Sequence, residues 1–272
     1  MRSPTKNPRK LFQLLTVGAI FSILLTHTGR AEKVSPFPPP EILQTGDLIW
    51  PKPPGAIVPY NSRPGEATNS DASRWEREKE RYLSELRAKP NPTVEEKERY
   101  TRLQNMTYRQ FIAQYEGGQA AGEITTFGTG NFFVGHVGIV QIVNGSPTIV
   151  EAMIGHGVRR LTYSKWLEDR SGERFWVGRL KNLSAEKRTA IAETAARYIG
   201  RPYRFWNFNL ADDSGFYCSK LAWFSILKAA GFAVDDQPNP HRLLWFSPKQ
   251  LMRSRHLEFI VNPGKYGAPI HH

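Results

Sequence analysis

Phe216-Tyr217-Cys218-Ser219-Lys220-Leu221-Ala222-Trp223 holds the only cysteine of a 272-residue chain. The stretch opens a predicted helix: Leu221, Ala222, Phe224, Ser225 and Leu227 run on from it, and Gly231 offers a stop. With one cysteine the chain builds no internal disulfide. Two readings of the thiol stand at this point. Cys218 is a nucleophile, or it is a small buried hydrophobe, a common place for free cysteine. A nucleophilic thiol needs help, because the thiolate attacks and an unperturbed thiol is mostly protonated near neutral pH. The positive end of a helix, an imidazole to take the proton and a polar group to fix that imidazole supply it. The helix start is predicted at Cys218, after a loop of Asp212, Asp213, Ser214 and Gly215.

Working outward, His136 opens the β-branched run Val137-Gly138-Ile139-Val140-Gln141-Ile142-Val143. Asn144-Gly145 predicts a tight hairpin turn, and Thr148 to Met153 returns as the paired strand with Glu151 on it. His136 and Glu151 thus lie on adjacent strands. A histidine at the head of an apolar strand is also an ordinary structural residue. A metal would need partners at ligand spacing, and His156, His241 and His256 are scattered. Glu151, between Val150 and Ala152, is either on a solvent face or a buried orienting carboxylate. Gly128, Gly130 and Gly135 make no phosphate loop, because a strand follows them and no Gly-Lys-Ser/Thr does.

The remaining elements frame that core. Thr45 to Trp50 predicts a strand ended by Pro51, Pro53 and Pro54. Arg74 to Ala88 predicts a charged helix with Trp75, Tyr82, Leu83 and Leu86 on one face. A capping box at Thr93 to Glu96 starts a second helix, expected to run through Tyr100, Leu103 and Phe111 toward Tyr115 and stop at Gly117-Gly118. The pair reads as a helical hairpin inserted between core strands. Trp176 to Leu180 predicts a strand. Ser184 caps a helix with a stripe of Ile191, Ala195, Tyr198 and Ile199, and Pro248 to Met252 and Leu257 to Val261 close the chain as a short helix and a strand.

Arg2, Lys6, Arg9 and Lys10, the apolar run Leu11 to Leu25 and the small residues of Gly29-Arg30-Ala31 predict a signal peptide over residues 1–31. An uncleaved anchor is the alternative. Pro36, Pro38, Pro39 and Pro40 make residues 32–41 an extended linker. The expected location is periplasmic or extracellular. The formal net charge of +12 falls when the signal leaves with Arg2, Lys6, Arg9, Lys10 and Arg30. A moderately basic exported protein meets anionic wall polymers and lipid headgroups. No basic run with interleaved aromatics points to nucleic acid.

The order Gly46-Asp47-Leu48-Ile49, His136-Val137-Gly138-Ile139-Val140, Val150-Glu151-Ala152, Gly200-Arg201-Pro202-Tyr203 and Tyr217-Cys218-Ser219-Lys220-Leu221 resembles the circularly permuted, YiiX-like branch of the NlpC cysteine-peptidase superfamily. Phe246-Ser247-Pro248-Lys249-Gln250-Leu251 looks like the family's closing segment. The resemblance covers roughly residues 42–50 and 125–261. It implies an α+β, permuted papain-like domain over residues 42–262, with an antiparallel sheet, an insertion at about 51–124 and a tail at 263–272. It implies Cys218 as nucleophile, His136 as general base, Glu151 as the group that orients His136, and backbone amides at Cys218 and Ser219 as an oxyanion site. Tyr203, Tyr217 and Ser219 become candidate substrate-binding residues. Arg204 departs from the family, where Asp is usual, and alters the charge of the cleft. The expected function is hydrolysis of an amide bond, in a cell-wall peptide or similar, through an acyl-enzyme and without metal or cofactor. A thiol-dependent lipid acyltransferase or esterase, and a non-catalytic binding module using the same cleft, are the alternatives. The expected partners are a wall-peptide or lipid-derived substrate and, peripherally, the anionic envelope surface.

Overall fold

The computed structural model describes residues 37–52, 69–108, 110–111, 135–264 and 266. The signal peptide, most of the linker, Tyr115, Gly117-Gly118 and the glycines at 128 and 130 lie outside the described residues. Among the described residues six strands form one sheet: β1 (Leu48–Lys52), β2 (Gly138–Val143), β3 (Ser146–Met153), β4 (Gly157–Thr162), β5 (Arg174–Leu180) and β6 (Leu257–Val261). Their order is β4-β3-β2-β1-β5-β6, and every neighbouring pair is antiparallel. The helices are α1 (Asn69–Ala88), α2 (Val94–Gln104), α3 (Tyr163–Glu168), α4 (Ala185–Ala196), α5 (Cys218–Ala230) and α6 (Pro248–Met252). This is the expected α+β class.

Both faces of the sheet are covered, which is why its strands read as continuous apolar runs. Successive side chains point to opposite faces. Leu48, Trp50, Ile139, Val150 and Ala152 join one core with α4 and α5, while Ile49, Val140, Ile149 and Val177 join a second core with Tyr163 and Trp166 of α3. Glu151 shares the parity of Ile149, so it belongs to the face that α3 covers. Asn144 and Gly145, at φ 51° and 76°, make the β2–β3 turn with the doubly left-handed backbone that matches strand twist. The Gly46-Asp47 pair has its own reason. Asp47 is buried, takes two 2.8 Å bonds from Arg179 and accepts from the Gln44 N–H, which ties the start of β1 to β5.

Four local readings need correction. β1 continues through Pro51 to Lys52, because among the described residues only β5 pairs with it past Ile49, and proline's missing N–H falls on the side away from β5. α2 ends at Gln104; Thr107 then opens a new turn by a second capping pair with Gln110. Ile199 is not on the buried stripe of α4: the helix ends at Ala196, and Ile199 is 43% exposed. β4 and α3 were not read at all.

The inserted hairpin is continuous with the core. Trp75, Leu83, Leu103 and Phe111 are buried in the same cluster as Phe205 and Phe208. Tyr82 stacks on Trp206 at 5.2 Å. Arg99 donates to the carbonyls of Leu243 and Arg242 at 2.8 and 2.6 Å and to Tyr82 Oη at 2.9 Å.

Candidate active site

Cys218 is the first residue of α5. The residue before it, Tyr217, has extended backbone (φ −105°, ψ 167°), and no side chain caps the helix. The first-turn N–H groups therefore stay at the thiol as a partial positive charge. Two strands of backbone bonding place this helix start. The Gly200–Tyr203 loop is pinned to the edge of β4, with Gly200 N–H donating to Val158 O and Val158 N–H to Arg201 O, both at 2.8 Å. The approach is so close that a Cβ on Gly157 would lie 2.3 Å from Arg201 O. The same loop then bridges to the segment before Cys218: Phe216 N–H donates to Pro202 O and Arg204 N–H to Phe216 O.

The structure brings Cys218, His136 and Glu151 together. His136 lies just ahead of β2, and its side chain is 16% exposed. Its Nε2 meets Glu151 Oε2 at 2.7 Å, which leaves Nδ1 as the ring nitrogen for the thiol, near enough for Cys218 to act on the imidazole. Burial opposes a charged ring. The charge and hydrogen bond of Cys218 and those of Glu151 outweigh it, and the His136 pKa rises to about 9.

Glu151 has no exposed surface and is surrounded by donors. Arg159, directly opposite on β4, reaches Oε1 twice, from Nε at 2.9 Å and Nη2 at 2.7 Å. Trp166 Nε1 donates to Oε2 at 2.7 Å, and Arg170 Nη2 lies 3.5 Å from the same oxygen. Arg170 in turn lies over the Trp166 ring, 4.2 Å from its centroid. Burial pushes the Glu151 carboxyl up, but the His136 ring, then Arg170 and Trp166, hold it far below the usual carboxylate range. Glu151 is thus a fixed anion with one oxygen aimed at His136. Arg159, Trp166 and Arg170 are the functional residues that the sequence reading missed.

Tyr203 is half-buried beside the thiol. Burial, then the charge of Cys218, raise its phenol well above the ordinary value, so it stays neutral. Tyr217 and Ser219 sit elsewhere than expected. Both are fully buried. Tyr217 Oη accepts from Phe246 N–H at 3.3 Å and Ser219 Oγ donates to Phe246 O at 2.5 Å. Their side chains clamp the segment leading to α6 and do not face a substrate. The reason is helical rotation: a step of one residue from Cys218 turns a side chain by roughly 100°, here into the core.

Tyr266, in the predicted tail, is part of the site. Its Oη accepts from the His136 N–H at 3.4 Å and donates to Pro51 O at 3.3 Å. Its ring meets Trp176 edge-on at 4.7 Å. Gly135, at φ 91°, gives it room, since a Cβ there would fall 2.7 Å from the hydroxyl.

A cavity of about 900 Å³ runs between α1–α2 and the 202–209 loop, with Tyr203 in its wall. Among the described residues no group of three His, Cys, Asp or Glu side chains converges as a metal site.

Comparison with known proteins gives the family. The chain matches, over residues 120–261, the family model described as permuted papain-like amidase enzyme, YaeF/YiiX. That is just over half of its length. It is 33% identical over 103 residues to the uncharacterized protein YiiX of Escherichia coli (strain K12), covering 38% of this chain and 49% of that one. It is 34% identical over 106 residues to the uncharacterized protein YycO of Bacillus subtilis (strain 168), covering 37% and 40%. The chain thus spans about half the length, or less, of these curated relatives. A crystal structure of yiiX from Escherichia coli O157:H7, described as a metalloprotein, aligns with TM-score 0.39 and 24% identity over 46% of this chain and 81% of that one.

Proposed function

The chain belongs to the permuted papain-like amidase family, and on that premise we propose that it is an exported cysteine amidase that hydrolyses an amide bond of a cell-wall peptide through Cys218, His136 and Glu151. The observation that carries this reading is the unbroken chain of a buried, donor-saturated Glu151, His136 at 2.7 Å and the thiol at an uncapped helix start.

The thiolate of Cys218 attacks the carbonyl carbon, and the carbonyl electron pair moves to oxygen. The first-turn amides of α5 face that oxygen. The C–N bond then breaks, and the leaving nitrogen takes the proton of the His136 imidazolium. A thioester remains on Cys218. His136, now neutral, takes a proton from water as it attacks the thioester, and the acid and the thiolate leave. Glu151 balances the imidazolium and keeps Nδ1 turned to sulfur. The charged rim of the adjoining cavity favours a polar peptide over a lipid acyl chain. Export rests on the basic, apolar and small-residue order of residues 1–31.

Iodoacetamide is expected to alkylate Cys218 faster than a model thiol at pH 7, with the rate falling at least tenfold in His136→Ala. Incubation with wall peptides should leave an acyl adduct on Cys218, read by mass spectrometry. Equal alkylation rates in the two proteins would remove His136 as the base, and absence of any adduct or cleavage would leave the binding module as the better reading. N-terminal sequencing of the exported protein should begin close to Glu32; an intact Met1 in a membrane pellet would show a retained anchor.

A further inference from the structure

The charges around the cavity beside Cys218 fall into two groups. On the hairpin wall every cation is already engaged: Arg81 meets Glu78 at 2.6 Å, Lys89 meets Glu96 at 2.7 Å, and Arg99 is spent on the Arg242 and Leu243 carbonyls and Tyr82. On the facing wall Asp212 is taken by Asn207 Nδ2 and the Ser214 N–H, each at 2.8 Å. Arg204 has no such partner. Among the described residues its guanidinium makes one hydrogen bond, of 3.4 Å, to Ser214 Oγ, and no carboxylate lies within ion-pair distance.

The direction of that side chain is set by its surroundings. Its backbone N–H donates to Phe216 O at 3.1 Å. A Cβ on Gly215 would come 2.6 Å from Arg204 Cγ and 2.7 Å from Cδ, so the stem lies across the one residue without a side chain. Behind this wall a second basic side chain is short of a partner. The Lys220 amine is fully buried, lies 5.5 Å from the centroid of the Phe216 ring and has no hydrogen-bond partner among the described residues. Burial, joined by Arg204 and opposed by Asp212 and Asp213, lowers its pKa to about 7. Arg204 thus lines the cavity without a carboxylate of its own, and the one carboxylate beside it in that wall, Asp212, is already hydrogen-bonded.

We infer that this wall receives an anionic group: the peptide cleaved at Cys218 carries a carboxylate close to the scissile amide, and the Arg204 guanidinium binds it. The inference rests on the amidase reading and deepens it by naming the substrate class. A guanidinium suits the role because its parallel N–H groups match the two oxygens of a carboxylate, which an ammonium does not. The adjoining volume holds several residues of peptide, and Tyr203, next to Arg204 in the same wall, lies near enough to the thiol for the charge of Cys218 to act on its phenol.

The test uses blocked tetra-alanine peptides in which each position in turn is Glu or its neutral isostere Gln. Two quantities are read for each pair: protection of Cys218 from iodoacetamide, and cleavage. At one position the Glu peptide should protect at concentrations about tenfold lower than the Gln peptide. Arg204→Gln should erase that difference, Arg204→Lys should keep part of it, and Arg204→Glu should reverse it in favour of a Lys-containing peptide. Protection is read against each variant's own unprotected rate, and the melting temperature of Arg204→Gln and Arg204→Lys should stay within a degree or two of the wild type, because Arg204 is exposed and its guanidinium makes one long hydrogen bond. No Glu preference in the wild type, or a preference that survives Arg204→Gln, overturns the inference. The two readouts separate the two claims. Cleavage without Glu preference sinks the anion site and keeps the amidase; Arg204-dependent protection without cleavage keeps the anion site and sinks the amidase.

Discussion

Glu151→Leu is expected to lose on the order of 3–5 kcal/mol of stability, the usual consequence of leaving buried charges without their counter-ion. The substitution strips one carboxylate from Arg159, Trp166, Arg170 and His136 at once. In a domain of this size that is a fall of about 10 °C or more in melting temperature. Glu151→Gln keeps the shape and an acceptor for Arg159. It still loses the counter-charge and turns an amide N–H toward the Trp166 and Arg170 donors, so it should melt between Glu151→Leu and the wild type while losing most activity, since it no longer balances the imidazolium. Thermal unfolding and turnover of the two variants, measured side by side, separate the carboxylate's structural share from its catalytic one. A Glu151→Leu protein that melts within a degree or two of the wild type would show that the donors around Glu151 find other partners.

His136→Ala is expected to lower kcat by about 10²–10⁴-fold, the range for losing a positioned acid–base group. The raised pKa adds a pH signature. The folded protein holds the His136 proton up to about pH 9, whereas an unfolded chain releases it near the ordinary value of about 6.5. The folded state therefore gains most below pH 6.5, and that gain is lost as pH rises through about 9. A shift of this size corresponds to about 3 kcal/mol. Stability of the wild type should decline across that window, and His136→Ala should show a flatter profile. Turnover should fall along an alkaline limb near pH 9, where the proton for the leaving amine is gone. In Glu151→Gln the limb should move to lower pH, because one of the two partners that raise His136 is neutral. A limb that stays in place would mean that Cys218 alone sets the imidazole.

The parts of the site that were legible are those written in local pattern. Cys218 stands at a helix start that ends at Gly231 in a left-handed cap, as read from the run between them. Asn144-Gly145 fixes the β2–β3 turn and therefore brings His136, just ahead of β2, beside the stretch of β3 that carries Glu151. What pattern could not carry was the face of Glu151, because β3 is apolar on both sides and alternation gives no sign of which core a residue enters. Arg159 stayed hidden for a related reason. Gly157-Val158-Arg159-Arg160-Leu161-Thr162 is an edge strand whose two adjacent arginines hide the period of two. Only the register with β3, a non-local fact, makes one of them the partner of Glu151. Tyr217 and Ser219 show the opposite error: closeness in number to a nucleophile says nothing of direction on a helix. The hairpin was legible as two helices from its capping box and apolar stripes. Its union with Trp206 and Phe208 was not, since those rings lie about a hundred positions further on.

The contact between His136 and Tyr266 sets an order in time. A chain made from its amino end completes β2, β3 and β4, and with them the His136–Glu151 pair, well before Cys218 exists. The helix that brings the thiol comes next, and the phenol that holds the His136 backbone comes 48 residues after the thiol. Until that phenol is in place, Glu151 orients the imidazole but the His136 N–H lacks its bond. The seat of the histidine backbone is therefore closed by a phenol that follows the thiol in the chain, not by anything in the hairpin that carries the imidazole.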